Sequence, residues 1–412
     1  MISVAQAQEI ILKNISTLKE PELVRVSTCL NRISSQDIKA KENIPPFNNS
    51  AMDGFALKAK GSIGASRQNP KALEVIADLP AGYVSGKTIS RGKTIRIMTG
   101  APIPKGADSV IMVEDTRKVR SQKSEVTSKE FIEIFKEVKP GENVRYVGED
   151  VKKSEIVIKK GVILKSGHMG MLASLGSLKI KVFLRPKVAI LTTGDELIEI
   201  KEKLKPGKIR NSNAYSLYAQ VIKIGALPIL LGIVRDNKEE LRQKIKKGLQ
   251  RADMLLVSGG VSVGDYDFVK EVLVDLGTKM KFWKVAMRPG KPLAFGIINR
   301  IPVFGLPGNP VSSMVAFEQF VRPAILKMAG AREVFRFHLP AIIDEVVKKK
   351  ECLRYFARAV LKNKNGRLYA SLTGPQGSGI LKSCVLANGI MELPEDISEV
   401  HRGDCVQVTY LD

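Results

Sequence analysis

Hydrophobic positions near the start of the chain recur at helical spacing. Ile10, Ile11, Ile15 and Leu18 predict helical structure through residues 1–46. "NIPPFNNSAMDGFAL" (43–57) breaks that pattern, because two prolines forbid a helix and Asn48, Asn49 and Ser50 favour tight turns. From about 55 to 140 short apolar runs such as "ALEVIADL", "TIRIMTG" and "SVIMVED" alternate with Gly and Pro and read as β. "YVGEDVKKSEIVIKKGVIL" predicts a turn and a strand, and "GHMGMLASLG" a short helix. From Lys187 the texture changes to strand and helix in alternation: "KVAILTTGDEL", "NAYSLYAQVIKIGA", "LPILLGIVRDN", "KEELRQKIKKGLQ", "ADMLLVSGGVSVGD" and "IPVFGLPGNPVSSMVAFEQFVRPAIL". Such spacing predicts a parallel, doubly wound sheet. Residues 331–412 return to short strands.

The expected fold is therefore multidomain α/β, in four parts. A helical or mixed N-terminal domain takes 1–46 plus 140–180, and a β insert 47–139. A doubly wound domain takes 181–330, and a C-terminal β domain 331–412. No run of about 18 apolar residues could span a membrane. "MISVAQAQEIILKNI" lacks the basic start and long apolar core of a signal peptide, so the expected location is the cytoplasm.

In an open parallel sheet, ligands bind beyond the carboxyl ends of the strands. Three loops here share that edge: "TTGDE" (192–196), "SGGVSVGDYD" (258–267) and "GLPGNPVS" (305–312). Their glycines let backbone approach a ligand, and N–H groups at the following helix starts attract anions. The loops supply Ser258, Gly259, Gly260, Ser262, Gly264, Pro307, Gly308 and Asn309 as candidate binding residues. Acids cluster at the same edge: Asp195, Glu196, Asp236, Asp265 and Asp267. An Asp after glycine often only caps a helix, which would cover Asp195 or Asp265 but not the whole group. Carboxylates and phosphates share a site when Mg²⁺ lies between them, so Glu196, Asp265 and Asp267 are candidate metal ligands. In "FWKVAMRPGKPLAFG" (282–296), Lys284, Arg288 and Lys291 stand among apolar residues and prolines, Pro292 included. A rigid cationic pocket for a small oxyanion is the expectation.

Charge narrows the choice of partner. Lys and Arg exceed Asp and Glu by 66 to 42, a formal +24, but lysines are spread among glutamates and aromatics make up only 6%. Nucleic acid is therefore a poor fit, and a small anionic substrate explains the local cations. Three histidines leave little for a catalytic triad. Cys29, Cys352, Cys384 and Cys405 have no metal-ligand spacing and read as reduced and structural.

"NNSAMDGFA", "RIMTGAPIPKGADSVIMVED", "GED", "LTTGDEL", "SGGVSVGDYDFVK", "RPGKPLAFG" and "GLPGNPVS", in this order, closely resemble the molybdenum insertases, the MoeA proteins. The resemblance runs from residue 1 to near 410. It implies a doubly wound domain of molybdopterin-binding type in an elongated dimer of four-domain chains. The implied activity moves molybdate into adenylylated molybdopterin, with Mg²⁺, and releases AMP. It implies that Asp53, Thr99 and Asp150 border the cleft, and that Glu196, Asp236 and Asp267 contact pterin, nucleotide or metal. Lys284, Arg288, Lys291, Arg358 in "YFAR" and Ser378 in "GPQGSG" would hold molybdate and phosphate. Arg288 stands where the family commonly has lysine, which bears on oxyanion choice, tungstate included. A molybdopterin adenylyltransferase enters both as a possible partner protein and as an alternative activity. A scaffold without catalysis is a further alternative.

Overall fold

The computed structural model describes residues 1–120, 129–260, 268–349 and 352–411. The chain forms two compact units, one of residues 1–36, 160–169 and 178–412, the other of residues 37–159 and 170–177.

In the larger unit, helix α1 spans Val4–Asn14. Ser3 accepts from the Gln6 backbone N–H and the Gln6 side chain reciprocates, a capping box that starts the helix. Val4, Ala7 and Ile11 lie on its buried face. The helix does not continue towards residue 46. Ile15 is extended, and Pro21–Arg25 forms a strand antiparallel to Lys179–Phe183. The expected long helix fails because the strand's partner lies far along the chain, beyond any local pattern.

The central sheet is built from β1 (Lys187–Thr193), α2 (Ser212–Lys223), β2 (Leu227–Val234), α3 (Lys238–Arg251), β3 (Met254–Ser258), α4 (Phe268–Asp275), β4 (Lys279–Lys284), β5 (Pro292–Ile298), β6 (Ile301–Leu306), α5 (Pro310–Ala316) and α6 (Arg322–Met328). Strand order is β2-β1-β3-β6-β5-β4. The first four strands are parallel, and β5 and β4 run antiparallel to their neighbours. The reversal between β5 and β6 is a two-residue turn at Asn299 and Arg300, both with positive φ, a geometry suited to a β-hairpin. Strand periodicity of two sorts β1 between the faces. Val188 and Ile190 pack with Leu217 of α2 and Val315 of α5, whereas Ala189 and Leu191 pack with Leu241 of α3 and Val272 of α4. Helices thus cover both faces, as a doubly wound sheet requires.

The C-terminal strands are β7 (His338–Ile343), β8 (Arg354–Lys364), β9 (Arg367–Leu372), β10 (Gly389–Leu393) and β11 (Cys405–Tyr410). They follow the order β8-β9-β7-β11-β10, and a further β8–β10 pairing closes a barrel around Ile343, Ala357, Met391 and Val408. Met287–Arg288 adds to β8 in parallel, which ties the segment after β4 to the barrel.

The smaller unit holds a six-stranded sheet. Its strands lie in the order Ser109–Met112, Gly54–Leu57, Lys93–Ile97, Lys71–Leu79, Glu130–Ile134 and Thr116–Arg120. Phe55 and Leu57 pack on one side and Ala56 on the other, so both faces carry a core. All four cysteines are free thiols. Cys29 is buried, but Cys352 and Cys405 are exposed and support no core, contrary to the structural reading. Among the described residues no helix is long and apolar enough to cross a membrane.

Candidate active site

Strands β1, β3 and β6 end side by side at Thr193, Ser258 and Leu306, so the loops that follow meet at one edge. A cavity of about 480 Å³ opens there. Its lining includes Glu196, Asp236, Ser258, Gly259, Gly260, Pro292, Pro307, Gly308 and Asn309, all singled out from sequence. Ser262, Gly264, Asp265 and Asp267 lie outside the described residues.

Two glycines are dictated by geometry. Gly194 has φ +144°, and a Cβ there would come within 2.4 Å of a Glu196 carboxylate oxygen. Gly259 has φ +96°, and its Cβ would stand 2.4 Å from the Thr193 carbonyl oxygen. Asp195 does not line the cavity. Its carboxylate accepts the Asp236 N–H at 3.1 Å, and its carbonyl accepts from Lys208 Nζ at 2.5 Å. It therefore joins the loops that carry Glu196 and Asp236, rather than capping a helix.

Arg210, Asn211, Asn213 and Ser312 also line the cavity, and the sequence reading passed over them. Asn211 caps α2 by accepting the Ala214 N–H at 3.2 Å, and donates to Thr192 Oγ1 at 2.8 Å. An Asn just before an amphipathic helix is the signal that was available in "RNSNAYS".

The cations do not form one enclosed pocket. Lys284, Arg288 and Lys291 are exposed, because each sits at or beyond the end of a strand. The Arg288 guanidinium lies 5.8 Å from the centre of the Tyr355 ring. Arg358, by contrast, is only 1% exposed. Its Nε donates to Ser383 Oγ at 3.1 Å and one terminal nitrogen donates to the Gly377 carbonyl at 3.3 Å. The other terminal nitrogen has no partner among the described residues. Burial pulls Arg358 below the ordinary arginine value, against the opposing pull of Tyr355 and Cys384. Burial pushes the Tyr355 hydroxyl up, and the charges of Arg358 and Arg288 oppose it. Two sequence-selected cations thus flank a tyrosine that sequence reasoning missed, although it opens "YFAR". Ser378 is partly buried, and its carbonyl accepts the Val311 N–H at 3.1 Å, which seats "GPQGSG" on the start of α5.

In the smaller unit, Asp53 accepts two hydrogen bonds from Thr99, from the backbone N–H at 2.7 Å and from the hydroxyl at 2.8 Å. Both bonds hold the Asp53 carboxyl below the usual aspartate range, with a smaller contribution from Arg96. Asp150 is also exposed. Its N–H donates to the Ile44 carbonyl at 3.0 Å, whereas Asp53 is tied to Thr99. Among the described residues no three His, Cys, Asp or Glu side chains gather as metal ligands.

Three family models match successive parts of the chain. "MoeA N-terminal region (domain I and II)" covers residues 2–176, "Probable molybdopterin binding domain" 189–327, and "MoeA C-terminal region (domain IV)" 340–411. The molybdopterin molybdenumtransferase of Bacillus subtilis is 37% identical over 389 residues, covering 94% of this chain and 89% of the relative. That of Haemophilus influenzae is 34% identical over 410 residues, covering 99% and 98%. The crystal structure of the molybdopterin biosynthesis MoeA protein of Pyrococcus horikoshii matches with TM-score 0.84 and 32% identity, over 100% of both chains. The chain accordingly belongs to the MoeA family, and carries that family's regions in order from its first helix to its closing barrel.

Proposed function

We propose that this chain is a molybdopterin molybdenumtransferase that takes molybdate and adenylylated molybdopterin and releases AMP with the finished molybdenum cofactor. The observation that carries the reading is the cavity at the carboxyl edge of β1, β3 and β6, where two close-approach glycines meet Glu196 and Asp236. Backbone can approach a phosphate closely there, and the site needs no histidine.

The lining suits Mg²⁺ by donor type. Mg²⁺ takes oxygen ligands and is usually held by one or two carboxylates together with substrate phosphates and water. Glu196 and Asp236 would hold it, so the lack of a three-donor protein cage is compatible with the ion. When bound it would neutralise pyrophosphate charge. The bond to be broken is a P–O bond of that pyrophosphate, with an oxygen from water or molybdate completing the released AMP. In this reading Gly259, Gly260 and Gly308 receive the phosphate, and Pro292 and Pro307 shape the wall. Lys284, Arg288, Lys291, Arg358 and Ser378 serve the oxyanion, a dianion that cations orient. Asp53, Thr99 and Asp150, in the smaller unit, are proposed to contact substrate by family analogy. The protein is expected to act in the cytoplasm as a homodimer, which light scattering would check.

The deciding experiment mixes protein, Mg²⁺ and adenylylated molybdopterin with molybdate or, separately, tungstate, and follows AMP release and cofactor formation. Oxyanion-dependent turnover is the expected result. Nucleotide binding without turnover on either anion would overturn the proposal and favour a scaffold. AMP transfer from ATP to molybdopterin would favour the adenylyltransferase alternative.

A further inference from the structure

We infer that Asn213 is a positioning residue for the proposed reaction, holding together the two glycine loops on which the nucleotide phosphate would rest. The inference depends on the function proposed above. Asn213 is the second residue of α2 and is 8% exposed. Its Nδ2 donates twice, to Ser258 Oγ at 2.9 Å and to the Gly308 carbonyl at 2.8 Å. Ser258 Oγ in turn donates to the Pro307 carbonyl at 3.2 Å. A carbonyl can only accept, so the amide nitrogen must face Gly308, which settles the orientation of the side chain. Its Oδ1 is then buried without a partner among the described residues.

The need for such a clamp follows from the strands. Register between β3 and β6 stops at Ser258 and Leu306, and the Gly259 N–H bond to the Leu306 carbonyl at 3.0 Å is the last backbone tie described there. Beyond it Gly259 and Gly260 both have positive φ and no side chain to stiffen them. One amide spanning both loops replaces the missing ladder. A buried acceptor left unpaired calls for an explanation, and a place at the ligand site supplies one.

The test is calorimetric titration of AMP with Mg²⁺ into the wild-type chain and into N213A and N213D, at several pH values across neutrality. Each variant is expressed as a ratio to wild type at the same pH, which cancels the titration of the AMP phosphate. N213A is expected to bind about tenfold or more weakly at every pH, the worth of one lost buried donor. N213D keeps the shape but loses the donor while ionised. Burial raises the pKa of that carboxyl, and protonation restores an O–H donor, so its affinity should recover as pH falls. Protonation also relieves repulsion between the carboxylate and the phosphate, so the recovery supports the donor role only together with the loss in N213A. AMP binding by N213A within twofold of wild type, or N213D affinity independent of pH, would overturn the inference while leaving the proposed function intact. Should N213A fail to fold, N213L, similar in shape with neither donor nor charge, takes its place, with the same loss expected and binding within twofold of wild type overturning the inference. Failure of the wild-type chain to bind AMP would overturn the proposed function, and the inference with it.

Discussion

Asp53 and Thr99 stand 46 residues apart in sequence, and the Asp53 carboxylate accepts both the backbone N–H and the hydroxyl of Thr99. The strand Gly54–Leu57 lies antiparallel to Lys93–Ile97, which places the residue before the first beside the residues after the second. Because the carboxyl is held below its usual range, its ionised form is favoured in the folded state. The stabilisation is complete above the ordinary aspartate pKa, and is lost as pH falls through the lower folded value. In Thr99→Val the hydroxyl bond goes and the backbone bond stays. The Asp53 carboxyl should then titrate at higher pH than in wild type, as followed by carboxyl NMR. An unchanged titration would show that the hydroxyl bond contributes nothing.

Gly194→Ala should displace Glu196. The new Cβ would meet the carboxylate, and φ of +144° costs an alanine about 1–3 kcal/mol. A lower melting temperature together with weaker Mg²⁺-dependent AMP binding is the expected pair of results. Loss of stability with undiminished binding would remove Glu196 from the site.

Arg358→Ala should destabilise the larger unit. The buried Ser383 hydroxyl loses its donor, at a cost of about 1–3 kcal/mol, while the Gly377 carbonyl, on an exposed residue, can turn to water. Urea unfolding would measure it. Arg358→Lys should recover only part of the loss, since an ammonium cannot reproduce the guanidinium fork.

Arg288→Lys removes the planar cation from the face of Tyr355, a contact worth about 0.5–1 kcal/mol where exposed. Stability should change little. The ratio of AMP release with molybdate to that with tungstate should shift, if Arg288 touches the oxyanion. An unchanged ratio assigns Arg288 to packing alone.

Much of the cleft was legible along the chain. Glycines placed just after apolar runs mark strand ends, and parallel strands put those ends on one edge, so Glu196, Asp236, Ser258 and Gly308 could be grouped before any coordinates. Asn211 and Asn213 escaped because nothing local shows what their side chains reach. Asn211 caps α2, and the contacts of Asn213 reach Gly308, 95 residues away. Tyr355 escaped because an aromatic in a strand reads as core, and it is core as well as the neighbour of two cations.

By itself the sequence determined the elements whose signal is periodic and local: the doubly wound alternation from Lys187, the β texture of 55–140, and the loops that must be glycine. Those follow from side-chain direction and backbone sterics over a few residues. Only tertiary structure decided which loops touch. It paired Pro21–Arg25 with Lys179–Phe183, turned β5 and β4 antiparallel, closed the barrel through β8 and β10, and buried Arg358 while leaving Lys284, Arg288 and Lys291 exposed. Each of those outcomes depends on contacts between residues distant in sequence. A local pattern reports how a segment prefers to fold, and not the surface against which it comes to rest.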